Sequence, residues 1–303
     1  RTSQAASSLE EYLASEGYFS AIVSPDLVED METRPRLDVD PGERFTIASV
    51  TLTGTEGLPT EVANQLGLVT DELGIGTWAV TSHIENLEKR LVNQLRLSGY
   101  AFAESKGIDA LASRADKTLE LTYQLVPGPR VRLGRLVIPE GLKTKESAIR
   151  ILRNWDAGDY YKPETMETLR TRVRGTGLYD GIGVQVQKMP GPDGLHLVEL
   201  QLSEGKRRSI GLGVSVSTSE GVGTNASWER RNLTGIGDTM GVEAQIATRT
   251  SGLTLSYERP NIGRYGRNFK AETGIRAEET DAYDLQGASV SARLSQPFND
   301  HFT

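Results

Sequence analysis

The chain has 303 residues, is 37% hydrophobic and 25% charged, carries a formal net charge of −7 and lacks cysteine; this suits folded protein with two or three cores and excludes disulfide frameworks and thiolate metal sites. The acidity is uneven, −8 over residues 1–205 and +1 over 206–303, and no segment gathers Lys and Arg into the basic face a nucleic-acid partner requires. No apolar run approaches the ~18–20 residues of a membrane helix, so any membrane crossing must be made by strands.

In chain order, a first amphipathic pattern (Leu9, Tyr12, Leu13) ends at Gly17-Tyr18-Phe19, and an extended stretch runs to Pro41-Gly42 and Arg44. A second segment opens on alternation (Phe45, Ile47, Val50, Leu52, with a slip at Ser49) and turns at Gly57-Leu58-Pro59-Thr60. It continues in a short helix carrying Val62 and Leu66 and a longer one carrying Ile84, Leu87, Leu91 and Leu95. The longer helix stops at Gly99, and strands are expected around Tyr100–Asp109 and Thr118–Val126. The third segment repeats the order: Val131, Leu133, Leu136 and Ile138 with a slip at Arg135; the turn Gly141-Leu142-Lys143-Thr144; Ala148, Ile151 and Leu152; then Met166, Leu169 and Val173. Gly177 ends that helix, and strands follow around Tyr179–Met189 and Leu195–Leu202. Thr60 and Thr144 are the expected helix N-caps, because a hydroxyl there satisfies an orphan N–H of the first turn. A left-handed C-cap explains a glycine at each helix end, and Gly17, Gly99 and Gly177 recur 82 and 78 residues apart, which is the signature of one small unit used repeatedly.

This strand-helix-helix-strand-strand order resembles the POTRA module, a periplasmic polypeptide-transport-associated domain. The expected organisation is a partial POTRA at 1–43 whose opening strand and helix precede Arg1, complete modules at 44–127 and 128–205, and a different domain at 206–303.

From Ser209 the pattern becomes strand-length alternation in six runs: Ile210–Val216, Thr224–Trp228, Met240–Ile246, Leu253–Tyr257, Phe269–Ala277 and Val290–Leu294, with Gly287 an expected bulge. Turns are expected at Ser219-Glu220-Gly221, 249–252 and 278–284. One face is apolar or small and the other carries Glu, Lys, Arg and Gln, which fits a transmembrane barrel and equally a soluble half-buried sheet. Six strands do not close a membrane barrel, so the barrel reading expects further strands beyond Thr303, for which Pro297-Phe298-Asn299-Asp300 is a turn signal. The segment Gly211-Leu212-Gly213-Val214, then Trp228-Glu229-Arg230-Arg231-Asn232-Leu233-Thr234-Gly235 and Gly237-Asp238, and later Leu255-Ser256-Tyr257-Glu258-Arg259-Pro260, resembles the start of the BamA/TamA surface-antigen barrel. The fold class is therefore α+β tandem POTRA modules (β-α-α-β-β) followed by an all-β region, the first six strands of an incomplete transmembrane antiparallel barrel. Three modules before it look more like the TamA branch than the BamA branch.

No constellation of side chains points to an enzyme, a metal or a cofactor. His83, His196 and His301 are scattered, Asp156 and Asp159 flank Gly158 as turn formers, and Gly221-Val222-Gly223 leads into a strand where a phosphate-cradling loop must open a helix. Arg207-Arg208 and Arg230-Arg231 read as solvated or lumenal pairs, with lipid headgroups or a periplasmic partner as the alternatives. Function is expected from sheet edges, which accept an extended segment by main-chain hydrogen bonds: Tyr100 and Phe102 in one module, and Tyr179, Ile182 and Val184 in the next. The first barrel strand is the expected seam, where Ser209, Gly211, Gly213, Ser215 and Ser217 offer little side-chain packing against a neighbour. The resemblance implies an outer-membrane location with periplasmic modules, contact with outer-membrane lipid, unfolded outer-membrane protein clients including autotransporters, and a TamB-like periplasm-spanning partner. A BamA-like general barrel-assembly subunit, a soluble periplasmic binding module and a single-partner secretion pore are the alternatives.

Overall fold

The computed structural model describes residues 2–26, 36–218, 221–279 and 283–297. The expected turn residues Ser219 and Glu220, the terminal Phe298-Asn299-Asp300 and His301 lie outside them. The chain divides into two compact units, residues 1–132 with 160–163, and 133–159 with 164–303.

In the first unit, α1 (Thr2–Ser15) precedes an antiparallel pair, β1 (Ile22–Asp26) and β2 (Arg36–Asp40). Then come β3 (Thr46–Thr53), α2 (Thr60–Asp71), α3 (Thr81–Leu97), β4 (Glu104–Ser113) and β5 (Thr118–Val126). The three strands form a sheet in the order β3-β5-β4, with β5 parallel to β3 and antiparallel to β4. The last strand takes the centre because its alternate residues Leu119, Leu121, Tyr123 and Leu125 are all buried; they pack with Ile84, Leu87, Leu91 and Leu95, the apolar stripe of α3. The Tyr123 hydroxyl donates to Ile84 O at 3.0 Å, and burial, with Glu88 second, pushes its pKa up. The slip expected at Ser49 is a register shift between Ile47 and Ser49.

The second unit holds β6 (Leu133–Val137), α4 (Glu146–Arg150), α5 (Pro163–Gly175), β7 (Tyr179–Val186) and β8 (His196–Glu204), again with the last strand central in the order β6-β8-β7. The slip at Arg135 appears as a register shift between Leu133 and Leu136. Neither threonine caps a helix by its side chain. Thr60 is the first residue of α2, behind Pro59, and α4 starts after Lys145. The short helix α4 buries Ile149, and beyond its end Leu152 and Trp155 are also buried, the indole N–H donating to Gly134 O at 2.8 Å. Trp155 escaped the periodicity because it belongs to a loop.

A backbone device recurs in both sheets. Ile47 N donates to Thr77 O, Gly76 N to Ile47 O and Ala79 N to Phe45 O; correspondingly Leu133 N donates to Asp159 O, Gly158 N to Leu133 O and Tyr161 N to Val131 O. The loop between the two helices thus covers the start of the first strand's outer edge, leaving β4 and β7 as edges with no further strand among the described residues.

The rest of the second unit is a six-stranded antiparallel meander: β9 (Arg208–Ser217), β10 (Gly221–Arg231), β11 (Thr239–Ala247), β12 (Thr250–Arg259), β13 (Asn268–Glu279) and β14 (Asp284–Ser295). Among the described residues the sheet is not closed. Strands of 9 to 12 residues match the ~9–11 residues of a tilted membrane strand. Two expectations are corrected. Gly221, expected in the turn, opens β10 opposite Ser217, and Gly287 makes no bulge, since β13 and β14 stay in continuous register from Asn268↔Ser295 to Glu279↔Asp284.

Candidate strand edges, seam and joint

The two open module edges differ from the expected residues in detail. Tyr100 and Phe102 lie in the turn before β4, and Tyr100 is part of the core; the strand itself begins at Glu104, and after a register shift between Ser105 and Gly107 it pairs regularly to Ser113. Tyr179, Ile182 and Val184 do lie in β7, which pairs with β8 alone and is regular from Gly181 to Val186. Tyr179 is buried, however, and burial raises its phenol pKa, so the accessible part of this edge starts beyond it.

In the meander, β9 pairs with β10 on one side and has no strand on the other among the described residues. Its even-numbered side chains are strongly exposed: Ile210 78%, Leu212 84%, Val214 85% and Val216 82%. Ser209, Gly211, Gly213, Ser215 and Ser217 occupy the opposite face, across from Glu229, Ser227, Asn225, Gly223 and Gly221. The glycines do more than withhold packing. A Cβ at Gly211 would stand 2.5 Å from Ser227 Oγ and one at Gly213 2.2 Å from Asn225 Oδ1, so polar side chains of β10 lie over the bare backbone of β9. The same polar face carries Glu243, Lys270 and Arg276, with ion pairs Lys270–Glu272 at 2.9 Å and Arg276–Glu278 at 3.1 Å.

A third constellation, invisible to pattern reasoning, joins the last module to the meander. The turn after β10 docks on residues 143–145: Lys145 N donates to Gly235 O at 2.7 Å and Asn232 Nδ2 to Thr144 Oγ1 at 2.8 Å. Glu204 Oε1, at the end of β8, accepts from Lys143 N, Thr144 N and Thr144 Oγ1 at 2.9–3.0 Å. Asn232 adopts φ +54° and also accepts from Gly237 N, while the buried Asp238 accepts from Thr234 N, Thr234 Oγ1 and Tyr257 Oη. Thr144 is therefore the pivot of a joint. Arg231, one of the sequence-flagged basic pairs, donates to Gly177 O and Ser209 Oγ and pairs with Glu229, so the helix-ending glycine is itself part of this contact.

Arginines mark the earlier helix-ending glycines too. Arg44 Nε donates to Glu16 O and stacks on Tyr18 and Trp78; Arg130 Nε donates to Ser98 O and stacks on Tyr160 at 3.8 Å. The hydrogen bond from Arg132 holds the Tyr160 phenol below its usual pKa. The carbonyl just past each of these helices, Glu16 O after α1 and Ser98 O after α3, thus receives a cation, as the helix dipole favours. Of the histidines, His83 lines a groove beside Trp78 and His196 is buried with Nδ1 2.9 Å from Gln187 O.

Burial would raise the Glu204 carboxyl, but the Thr144 and Lys143 donors and the Lys143 charge outweigh it and hold it below 4.5. A depressed carboxylate contributes stability that is complete above the ordinary value and lost as pH falls through the lowered one. Glu204→Gln is therefore expected to be the less stable protein at pH 7, by no more than about 1 kcal/mol for a solvent-accessible group, and to converge with the unsubstituted protein as pH falls through that lowered pKa, read from melting temperatures across pH.

No family model matches the chain. Over 149 residues it is 26% identical to the outer membrane protein assembly factor BamA of Neorickettsia risticii, a match spanning 49% of this chain and 20% of that protein. The crystal structure of BamA from Haemophilus ducreyi lacking POTRA domains 1–3 superposes with a TM-score of 0.71 over 82% of this chain and 47% of that one, at 17% identity. The chain is related to BamA. Its modules are POTRA-like, and its meander resembles part of the BamA barrel. The BamA POTRA3–5 fragment from Haemophilus influenzae gives a TM-score of 0.47 over 67% of this chain at 20% identity. An apolar strand face as exposed as that of β9 suits acyl chains rather than water, in keeping with the outer-membrane location of the BamA proteins that the chain resembles.

Proposed function

We propose that this chain is the module-and-barrel portion of an outer-membrane protein assembly or translocation factor, receiving extended client segments on the open edges of β4 and β7 and passing them to a seam along β9. The observation that carries the reading is β9 itself, whose exposed apolar row suits acyl chains and whose Gly/Ser row gives a neighbouring strand little to interlock with. An arriving strand gains main-chain hydrogen bonds there with little demand on its sequence. No chemical step is needed, only exchange of backbone partners.

Ser215 lies on the Gly/Ser row. Ser215→Cys is expected to trap adducts with client strands, or with whatever strand of the same protein lies along β9, after oxidation in membranes; complete lack of both adducts removes the seam.

The finer reading is a TamA-like subunit serving autotransporters among its clients, with a TamB-like periplasmic partner. The observed likeness to BamA supports a second reading, a general barrel-assembly subunit. Depletion followed by an inventory of outer-membrane proteins separates them: selective loss of autotransporters favours the first, general loss of barrels the second, and no loss leaves a single-partner secretion pore.

A further inference from the structure

The acyl-facing side of the meander carries Gln286, Glu279 and Asp284 at the end far from the joint, is largely apolar between the ends, and turns basic near the joint. In the row Ile210↔Trp228↔Val242↔Leu255 every residue is apolar; in the next row toward the joint, Arg208 of β9 stands directly opposite Arg230 of β10, followed by Met240 and Tyr257. Arg208 shares its face with Ile210, and Arg230 shares its face with Trp228, because side chains two apart on a strand point the same way. The sequence alone favours solvated or lumenal pairs over lipid headgroups for these arginines. The register puts both on the lipid side, one step outside the apolar band.

Two cations directly opposite on adjacent strands repel each other, and an arginine at this depth ordinarily has a counter-charge. Here none is at hand. Among the described residues neither guanidinium has a hydrogen-bond or ion-pair partner, and this face carries no Asp or Glu from Arg208 in β9 through Ala277 in β13. Their neighbour Arg231, by contrast, points to the other face and is engaged by Gly177 O, Ser209 Oγ and Glu229. An unneutralised Arg pair, with Trp228 and the bare apolar row of β9 immediately above it, has the composition of an anionic headgroup site. Guanidinium forks match phosphate oxygens bidentately, Trp is at home at the headgroup level, and acyl chains would lie along Ile210, Leu212 and Val214.

We propose that Arg208 and Arg230 form a binding site for the phosphate of a glycerophospholipid in the periplasmic leaflet, seated against the seam strand β9. The bound lipid would relieve the repulsion between the two cations and cover the acyl-facing side of β9 at the proposed seam, so that a client strand pairing there displaces or slides past a specific lipid rather than bulk membrane. The site rests on the barrel reading of the meander.

The test uses the protein extracted from membranes in mild detergent, with bound lipid counted by native mass spectrometry against phosphatidylglycerol, diacylglycerol with the same acyl chains, and inorganic phosphate. The Arg208→Gln/Arg230→Gln variant is expected to retain about tenfold less phosphatidylglycerol than the unsubstituted protein, the scale of one lost set of charge-assisted hydrogen bonds. Diacylglycerol retention should be equal in both, inorganic phosphate should not displace the lipid, and Arg276→Gln on the polar face should change nothing. Arg208→Lys/Arg230→Lys keeps both charges but loses the forks and should fall between, which reads the site even if the Gln variant folds poorly. Equal phosphatidylglycerol retention by the folded protein with and without the arginines, or displacement by inorganic phosphate, overturns the site. Heat-modifiable migration on gels is scored separately: its absence in the unsubstituted protein sinks the barrel reading, whereas a folded barrel with unchanged retention sinks the lipid site alone.

Discussion

Gly54→Val is expected to unfold the module built on β3, α2, α3, β4 and β5. Gly54 follows β3 with φ +74°, and a Cβ there would stand 1.9 Å from Leu125 O. The obstacle is backbone of the central strand, flanked by the buried Tyr123 and Leu125, so it cannot swing aside as a side-chain tip could. A left-handed conformation alone costs a β-branched residue about 1–2 kcal/mol; forcing β3 and β5 apart over a packed core adds enough to expect a total above ~4 kcal/mol, a large share of a domain's stability. Gly57→Val is the internal control. Gly57 has φ +89° but nothing within 4 Å of its would-be Cβ, so only the conformational cost should appear. Denaturant midpoints followed by Trp78 fluorescence check both, and similar midpoints for the two variants would show that the close approach to Leu125 does not matter.

Asn232→Ala should release the last module from the barrel turn. Asn232 is 2% exposed, holds φ +54°, donates to Thr144 Oγ1 and accepts from Gly237 N. Alanine loses the tolerance for a left-handed backbone and both hydrogen bonds, together about 3 kcal/mol. Asn232→Gly restores the backbone freedom and not the bonds, so it should recover roughly 1 kcal/mol of that loss. The Lys145 N–H, which donates to Gly235 O at 2.7 Å, reports the joint directly: its hydrogen exchange should speed up in both variants and more in the alanine one. Unchanged protection of that single amide would mean the turn is held by something other than Asn232.

Features set by local chemistry were readable from the residues alone. The glycines ending α1, α3 and α5 stand out because a left-handed cap excludes a Cβ, and Gly17, Gly99 and Gly177 all take positive φ. The stripe Ile84, Leu87, Leu91, Leu95 and the alternation of Leu119, Leu121, Tyr123 and Leu125 identify buried faces because their periods are those of helix and strand. The slips at Ser49 and Arg135 reappear as register shifts for the same reason. Where local period and tertiary use diverge, the residues mislead. Gly287 breaks the apolar alternation yet pairs in register with Arg276, since a polar Gln286 near a strand end is tolerated without a bulge. Tyr100 and Phe102 look like the start of a strand, but Tyr100 is needed under the sheet, and the turn that puts it there delays β4 to Glu104.

By itself, then, the amino-acid order determined a run of small αβ modules, a switch to alternating strands after residue 205 and the apolar row of β9, because hydrophobic period, turn chemistry and glycine conformations are properties of neighbours along the chain. Only the tertiary structure decided that Thr144 serves Glu204 and Asn232 instead of capping a helix, that the starts of β3 and β6 are covered while β4 and β7 stay open, and that Arg208 meets Arg230 on the lipid side. Those depend on which distant backbone groups pair and in what register, and a slip of one residue in that register would turn every side chain of a strand to the opposite face.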